Sequence, residues 1–242
     1  MSASDVLRTV KYGFFGTPAP LLRLAQFFFI LCFALPAAAQ EINRPTSPGG
    51  WSELIHRQYQ SIKSLHATFE QSIMHKESGI EEQRTGEFFF KKPFLVRWVS
   101  EDPYPELLLV EEKFFWQFLP EEKLVLKFKV ESLYEQVGFL SVLTGQAPLT
   151  DKFKVVPKEE SEGVRAIMLL PHSPSPGLVE ATIWVDTENG VILRLLFTDF
   201  YGNSNDISFT NQELDVNISS ETFKFTPPPG TTVEDHTQPQ PR

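Results

Sequence analysis

The run Gly86-Glu87-Phe88-Phe89-Phe90-Lys91-Lys92-Pro93-Phe94-Leu95-Val96-Arg97-Trp98 decides the reading of this chain. Successive side chains of a strand point to opposite faces, so Phe88 and Phe90 share one face, and Phe94, Val96 and Trp98 share a face of the next strand. Between them Lys91-Lys92-Pro93 makes a tight, doubly basic turn, because proline presets its own φ and gives no N–H to a ladder. The result is a stiff apolar sheet surface with cations at its rim. No reaction chemistry follows from it.

Working outward, Leu65, Ala67, Phe69 and Ile73 alternate with His66, Thr68, Glu70 and Ser72, which predicts a strand with one wet face. Ahead of it, Trp51, Leu54, Ile55, Tyr59 and Ile62 recur at helical spacing and predict an amphipathic helix from about residue 50 to 63. Residues 41 to 50, with Pro45, Pro48, Gly49 and Gly50, read as a linker. Beyond Trp98, Leu107 to Val110 is continuously apolar, Phe114, Trp116 and Phe118 alternate, and a turn at Pro120-Glu121-Glu122 leads to Leu124, Leu126, Phe128 and Val130. Leu133, Val137, Leu140 and Leu143 fall at helix-like intervals closed by Gly145 and Pro148. Strands resume near Phe153, Ala166 and Thr182. Asn189-Gly190, between Ile183-Trp184-Val185 and Val191-Ile192-Leu193, predicts a hairpin with a two-residue turn. A last pair surrounds Tyr201-Gly202-Asn203, and the polar remainder after Gly230 is expected to be a loose tail.

These elements describe a mainly β protein with helices. About eleven antiparallel strands in a single sheet must curl, split or close. Two amphipathic helices over a curled sheet make an unclosed barrel with a helical lid. The same aromatics packed between two sheets would make an ordinary β-sandwich.

Arg8, Lys11 and Arg23 precede the apolar run Leu24 to Ala39, which ends in small residues and reads as a signal peptide cut after Ala39. The run is shorter than the roughly 20 residues that cross a bilayer, and Pro36 interrupts it. The expected organisation is a leader over residues 1–39, one domain over 40–230 and a flexible tail over 231–242. Cys32, the single cysteine, lies in the leader, so a hydrophobic core rather than disulfides must hold the exported chain together. The whole chain has 22 Lys+Arg and 31 Asp+Glu; without the leader's three basic residues and Asp5, 19 and 30 remain, a net charge of −11. Such a surface argues against nucleic acid and against resting on an anionic membrane.

The sequence contains no Gly-rich phosphate loop, no Gly-x-Ser-x-Gly elbow and no His-Glu-x-x-His. His66 and His75 share a predicted strand with opposite parity and cannot converge on zinc. Glu81-Glu82, Glu111-Glu112, Glu121-Glu122 and Glu159-Glu160 fall in predicted turns and read as solvated flanks. No catalytic set, cofactor or metal site is expected.

Placed behind that leader, the Gly86 to Trp98 run resembles the periplasmic lipoprotein carrier family LolA. Tyr59-Gln60-Ser61-Ile62-Lys63-Ser64-Leu65-His66-Ala67-Thr68-Phe69-Glu70-Gln71 is similar to the family's first helix and strand, Leu140 to Gly145 to its inner helix, and Phe223-Lys224-Phe225-Thr226-Pro227-Pro228 with Gly230 to its closing segment. The resemblance covers nearly the whole chain after the leader. It implies an unclosed barrel whose helices cover a hydrophobic cavity, in a monomeric periplasmic chaperone that takes acylated lipoproteins from an inner-membrane transporter to an outer-membrane receptor. A carrier of another lipid or glycolipid, or an envelope lipoprotein sensor, would share the fold. On this reading Phe69, Phe90, Val96, Trp98, Trp116 and Phe118 line the cavity, Trp51, Ile55, Val137, Leu140 and Leu143 form the lid, and Lys92 with Pro93 forms the transfer rim. Lys92 stands where the family places arginine; the lysine keeps the charge and loses the planar donor fork.

Overall fold

The first helix, α1 (Pro48–Ser61), begins about two residues before its expected start at residue 50. Ser47 is its N-cap, its Oγ accepting from the Gly50 N–H at 3.1 Å, and Pro48 occupies the first turn, where a missing N–H costs nothing. Pro48 to Gly50, expected in the linker, are therefore helical. The computed structural model describes residues 45–131 and 145–237. They belong to one compact unit, Ile42–Arg242. The expected leader and the expected lid residues Val137, Leu140 and Leu143 lie outside the described residues.

After α1 the strands follow in chain order: β1 (Ser64–His75), β2 (Ile80–Lys91), β3 (Leu95–Asp102), β4 (Glu106–Val110), β5 (Phe114–Leu119) and β6 (Leu124–Lys129). A short helix, α2 (Leu149–Lys152), leads into β7 (Phe153–Ser161), β8 (Val164–Pro171), β9 (Glu180–Asp186), β10 (Ile192–Thr198), β11 (Ser204–Leu214) and β12 (Thr232–Asp235). All twelve make one sheet in the order β12-β6-β5-β4-β3-β2-β1-β11-β10-β9-β8-β7. It is curled and unclosed, so the sandwich alternative is set aside. Every neighbouring pair is antiparallel except β12 with β6.

The twelfth strand falls in the expected tail. Gly230 takes φ +81°, and Thr232 to Asp235 then run beside Leu124 to Lys127 on the edge strand β6. The Asn189-Gly190 turn is also wider than expected. Only Gly190 has positive φ, and the Asp186 carboxylate accepts from the N–H groups of Glu188 and Asn189, making a side-chain-braced loop over residues 187–191. Glu81-Glu82 and Glu159-Glu160 sit within β2 and β7 rather than in turns.

The face on which α1 lies, the inner face, carries the main core. Cross-strand register puts Leu65 opposite Phe90, Ala67 opposite Phe88 and Phe69 opposite Gly86; β3 continues the rows with Val96 and Trp98. On the other side of β1, Phe209, Ile207 and Leu195 extend the same face toward Ile183, Ile167 and Pro157. The outer face of β3 to β5 has its own cluster, Leu107 and Leu109 with Trp116 and Phe118, covered by Ile218, Phe223 and Phe225 of the segment that follows β11.

Gly86 is the tightest point of the sheet. A Cβ there would stand 1.8 Å from the Val99 carbonyl oxygen and 2.8 Å from Phe69 Cζ. Neither the backbone nor a ring buried to 1% exposure is free to retreat. Gly86→Ala is expected to destabilise the protein by about 3 kcal/mol, read from the urea midpoint at unchanged slope.

Candidate functional site

Within the largely aliphatic core of the inner face, a group of rings packs on one another. Phe69 stacks on Trp98 with centroids 3.9 Å apart, and Phe88 meets Trp98 at 5.8 Å and Phe209 at 5.7 Å. Trp98 and Phe209 close the group edge to face at 6.3 Å. The wall is not sealed: Trp98, Phe115, Phe197 and Phe209 pack against the core while staying only partly buried. Rings suit such a surface because they lose little rotamer freedom and hold their shape when unfilled.

Four of the six expected lining residues, Phe69, Phe90, Val96 and Trp98, pack in this cluster with the expected lid residues Trp51 and Ile55. Trp116 and Phe118 do not. They stand opposite Leu109 and Leu107 on the outer face, where Phe225 packs against both rings at 5.8 and 5.5 Å. Their places on the inner face belong to Phe115, opposite Val110 and Phe128, and to Gln117. Phe209 was missed altogether. Its signal was available, since it shares the parity of Ile207 along β11, with polar Ser208 and Thr210 between and after them.

Helix α1 is fastened to the inner face at both ends. Trp51, Ile55 and Tyr59 are buried, and the Arg165 guanidinium lies 5.2 Å over the Trp51 ring. Near the helix start the Thr150 N–H donates to Ser52 Oγ at 3.2 Å. Toward the other end the Tyr59 hydroxyl accepts from the Ile192 N–H at 3.2 Å. Burial raises the Tyr59 pKa well above its ordinary value, with the Ile192 hydrogen bond opposing only in part.

The doubly basic turn is engaged on both faces. Lys92 Nζ donates to the Gln60 carbonyl in the last turn of α1, and its N–H donates to Lys63 O at 2.9 Å. That carbonyl is one of the acceptors a helix C-terminus leaves without an internal partner, at the negative end of its dipole. One ammonium donor meets this need without a planar fork. Lys91, pointing to the other face, donates from Nζ to the Ile218 carbonyl at 2.6 Å and pins the outer segment. Pro93 is exposed at the tip of the turn.

A family model described as outer membrane lipoprotein carrier protein LolA matches residues 60–226, from the last turn of α1 past the outer-face segment. The chain belongs to the LolA family. Among its LolA-type relatives, the outer-membrane lipoprotein carrier protein of Erwinia tasmaniensis is 24% identical over 196 residues, covering 80% of this chain and 93% of the relative. That of Dechloromonas aromatica is 24% identical over 205 residues, covering 84% and 92%. An uncharacterized conserved protein from Thermus thermophilus has a similar fold, with a TM-score of 0.51 at 15% identity over 76% of this chain and 97% of that one. No group of His, Cys, Asp and Glu among the described residues of this LolA-family chain is arranged to hold a metal.

Two outcomes test the anchoring of α1. Tyr59→Phe leaves the buried Ile192 N–H without an acceptor and is expected to cost about 1–2 kcal/mol by chemical denaturation. The sign of the pH effect follows from the raised pKa. The contribution is complete below the ordinary tyrosine value of 10.0 and is lost as pH rises toward the folded value, because only the unfolded chain ionises in that window. Wild-type stability is expected to fall by up to ~1.4 kcal/mol per pH unit above about pH 10 on account of Tyr59, a component missing from Tyr59→Phe.

Proposed function

We propose that this protein is a periplasmic carrier that shields the acyl chains of lipoproteins against its inner aromatic wall, collecting them from an inner-membrane transporter and delivering them to an outer-membrane receptor. The observation that carries this reading is the partly exposed ring surface on the inner face of an unclosed sheet, in a chain of the LolA family. Its relatives are named outer-membrane lipoprotein carrier proteins.

The physical need is plain. Exposing an acyl chain of about 16 carbons to water costs on the order of 10 kcal/mol, at roughly 0.8 kcal/mol per CH₂. A lipoprotein with several chains does not cross an aqueous gap unaided. The carrier must also release, so contact with a wall that stays partly open serves better than full enclosure. Phe69, Phe90, Val96 and Trp98 remain the proposed lining, joined by Phe115 and Phe209, with Trp51 and Ile55 as the described part of the lid. Opening the lid at α1 has to release the Lys92–Gln60 and Tyr59–Ile192 bonds, which gives Lys92 its role at the rim. Carrying without turnover calls for no catalytic group.

The two faces give the test. Trp98→Ser is expected to weaken binding of a fluorescent fatty-acyl probe about tenfold, whereas Trp116→Ser lowers stability and leaves probe affinity within about twofold. Equal loss from both would remove the inner wall as the binding surface. In cells, depletion is expected to leave lipoproteins at the inner membrane, and unchanged sorting would refute the lipoprotein reading. Lipid extraction and mass spectrometry of protein purified from the periplasm identify any other cargo.

A further inference from the structure

Among the described residues, the strongly exposed large apolar side chains are Ile80, Tyr104, Phe200, Tyr201 and Val233. They are not scattered. Strand register places the β1–β2, β3–β4, β5–β6 and β10–β11 turns together at the end of the sheet away from the Lys92 turn, and all five residues sit in or beside them.

The most exposed, Phe200 at 73% and Tyr201 at 74%, form the tip of the β10–β11 turn, their rings edge to face at 5.6 Å. This tip is built, not frayed. The Asp199 carboxylate accepts from the Asn203 backbone and side-chain N–H groups, each at 2.8 Å, and Gly202 takes φ +79° and donates to Asp199 O at 3.1 Å. Phe200 N–H donates to Pro176 O at 2.9 Å, and Asn203 Oδ1 accepts from Lys76 N–H at 2.9 Å, which ties the tip to both neighbouring turns. A rigidly held aromatic pair open to water is the usual anchor of a protein contact.

Charge selects the partner. Glu77, Glu81, Glu101, Asp102, Glu121 and Glu122 are exposed at this same end, against Lys76 and Lys123. Beside Tyr104, a groove of about 250 Å³ is lined by Glu82, Glu106, Glu121 and Glu122, with Arg84 paired to Glu82 and Glu106. We propose that this end of the sheet docks a protein partner whose surface offers an apolar hollow for Phe200 and Tyr201, rimmed by Lys or Arg that enter the Tyr104 groove. Anionic headgroups would be repelled here, as would the same acidic end of a second copy. The proposal rests on the carrier reading for one point: the partner is an envelope membrane protein that gives or takes the cargo.

The test keeps the two readings apart. Benzoylphenylalanine is introduced at position 201 of the full-length protein, cells are irradiated, and adducts are identified by mass spectrometry; acyl-probe binding is measured on the same purified protein. Adducts to an integral envelope protein are expected, weakened at least fivefold by Glu121→Lys/Glu122→Lys and by high salt, with probe affinity unchanged. No adduct, adducts only to lipid or to a second copy, or adducts indifferent to the charge reversal would overturn the docking surface. Loss of probe binding with adducts intact counts against the carrier reading instead.

Discussion

Phe69 lies flat against the sheet because residue 86 has no side chain, and the rest of the inner wall is set from that contact. With the ring seated over Gly86, Trp98 stacks on its other side, Phe88 and Phe209 pack at the edges of Trp98, and the half-open aromatic surface follows. The pairing of β1 with both β2 and β11 holds this row in register across the middle of the sheet. A slip of one residue would turn every ring outward. One missing Cβ thus leaves the room in which the Phe69 ring sits within the inner wall.

Much of this was legible in the sequence where one face of an element is wet. His66, Thr68 and Glu70 mark the outer side of β1, so Phe69 could only face inward, and the helix phase of Trp51, Ile55 and Tyr59 was readable for the same reason. In β5 that signal is missing. Phe114, Phe115, Trp116 and Phe118 are aromatic in both parities because the outer face is covered as well, by a segment from the far end of the chain. The apolar run of β4 next to it carries no alternation either. Alternation alone therefore puts Trp116 and Phe118 on the wrong side, and nothing local could have corrected them.

The paired lysines make the same point for polar contacts. Read alone, Lys91-Lys92 is a solvated turn. Their acceptors, Ile218 O and Gln60 O, lie 127 and 32 residues away in sequence, and alternation along the strand end sends one ammonium to each face. One turn therefore fastens both α1 and the outer-face segment. At Asn189-Gly190 the expected hairpin forms, with β9 paired to β10, but its turn is longer than two residues for a nearer reason: the Asp186 side chain supplies acceptors that a dipeptide rule does not consider.

The pairing of β12 with β6, and of β7 with β8 alone, leaves the sheet with two ends that never meet. On one border runs a short polar strand, and on the other Pro157 interrupts the row of N–H donors. A closed barrel changes its bore only by breaking or shifting a ladder. An open one can change its curl by adjusting twist while every hydrogen-bonded row survives. The seam lets the girth of the trough vary with what it holds, without unfolding any part of its wall.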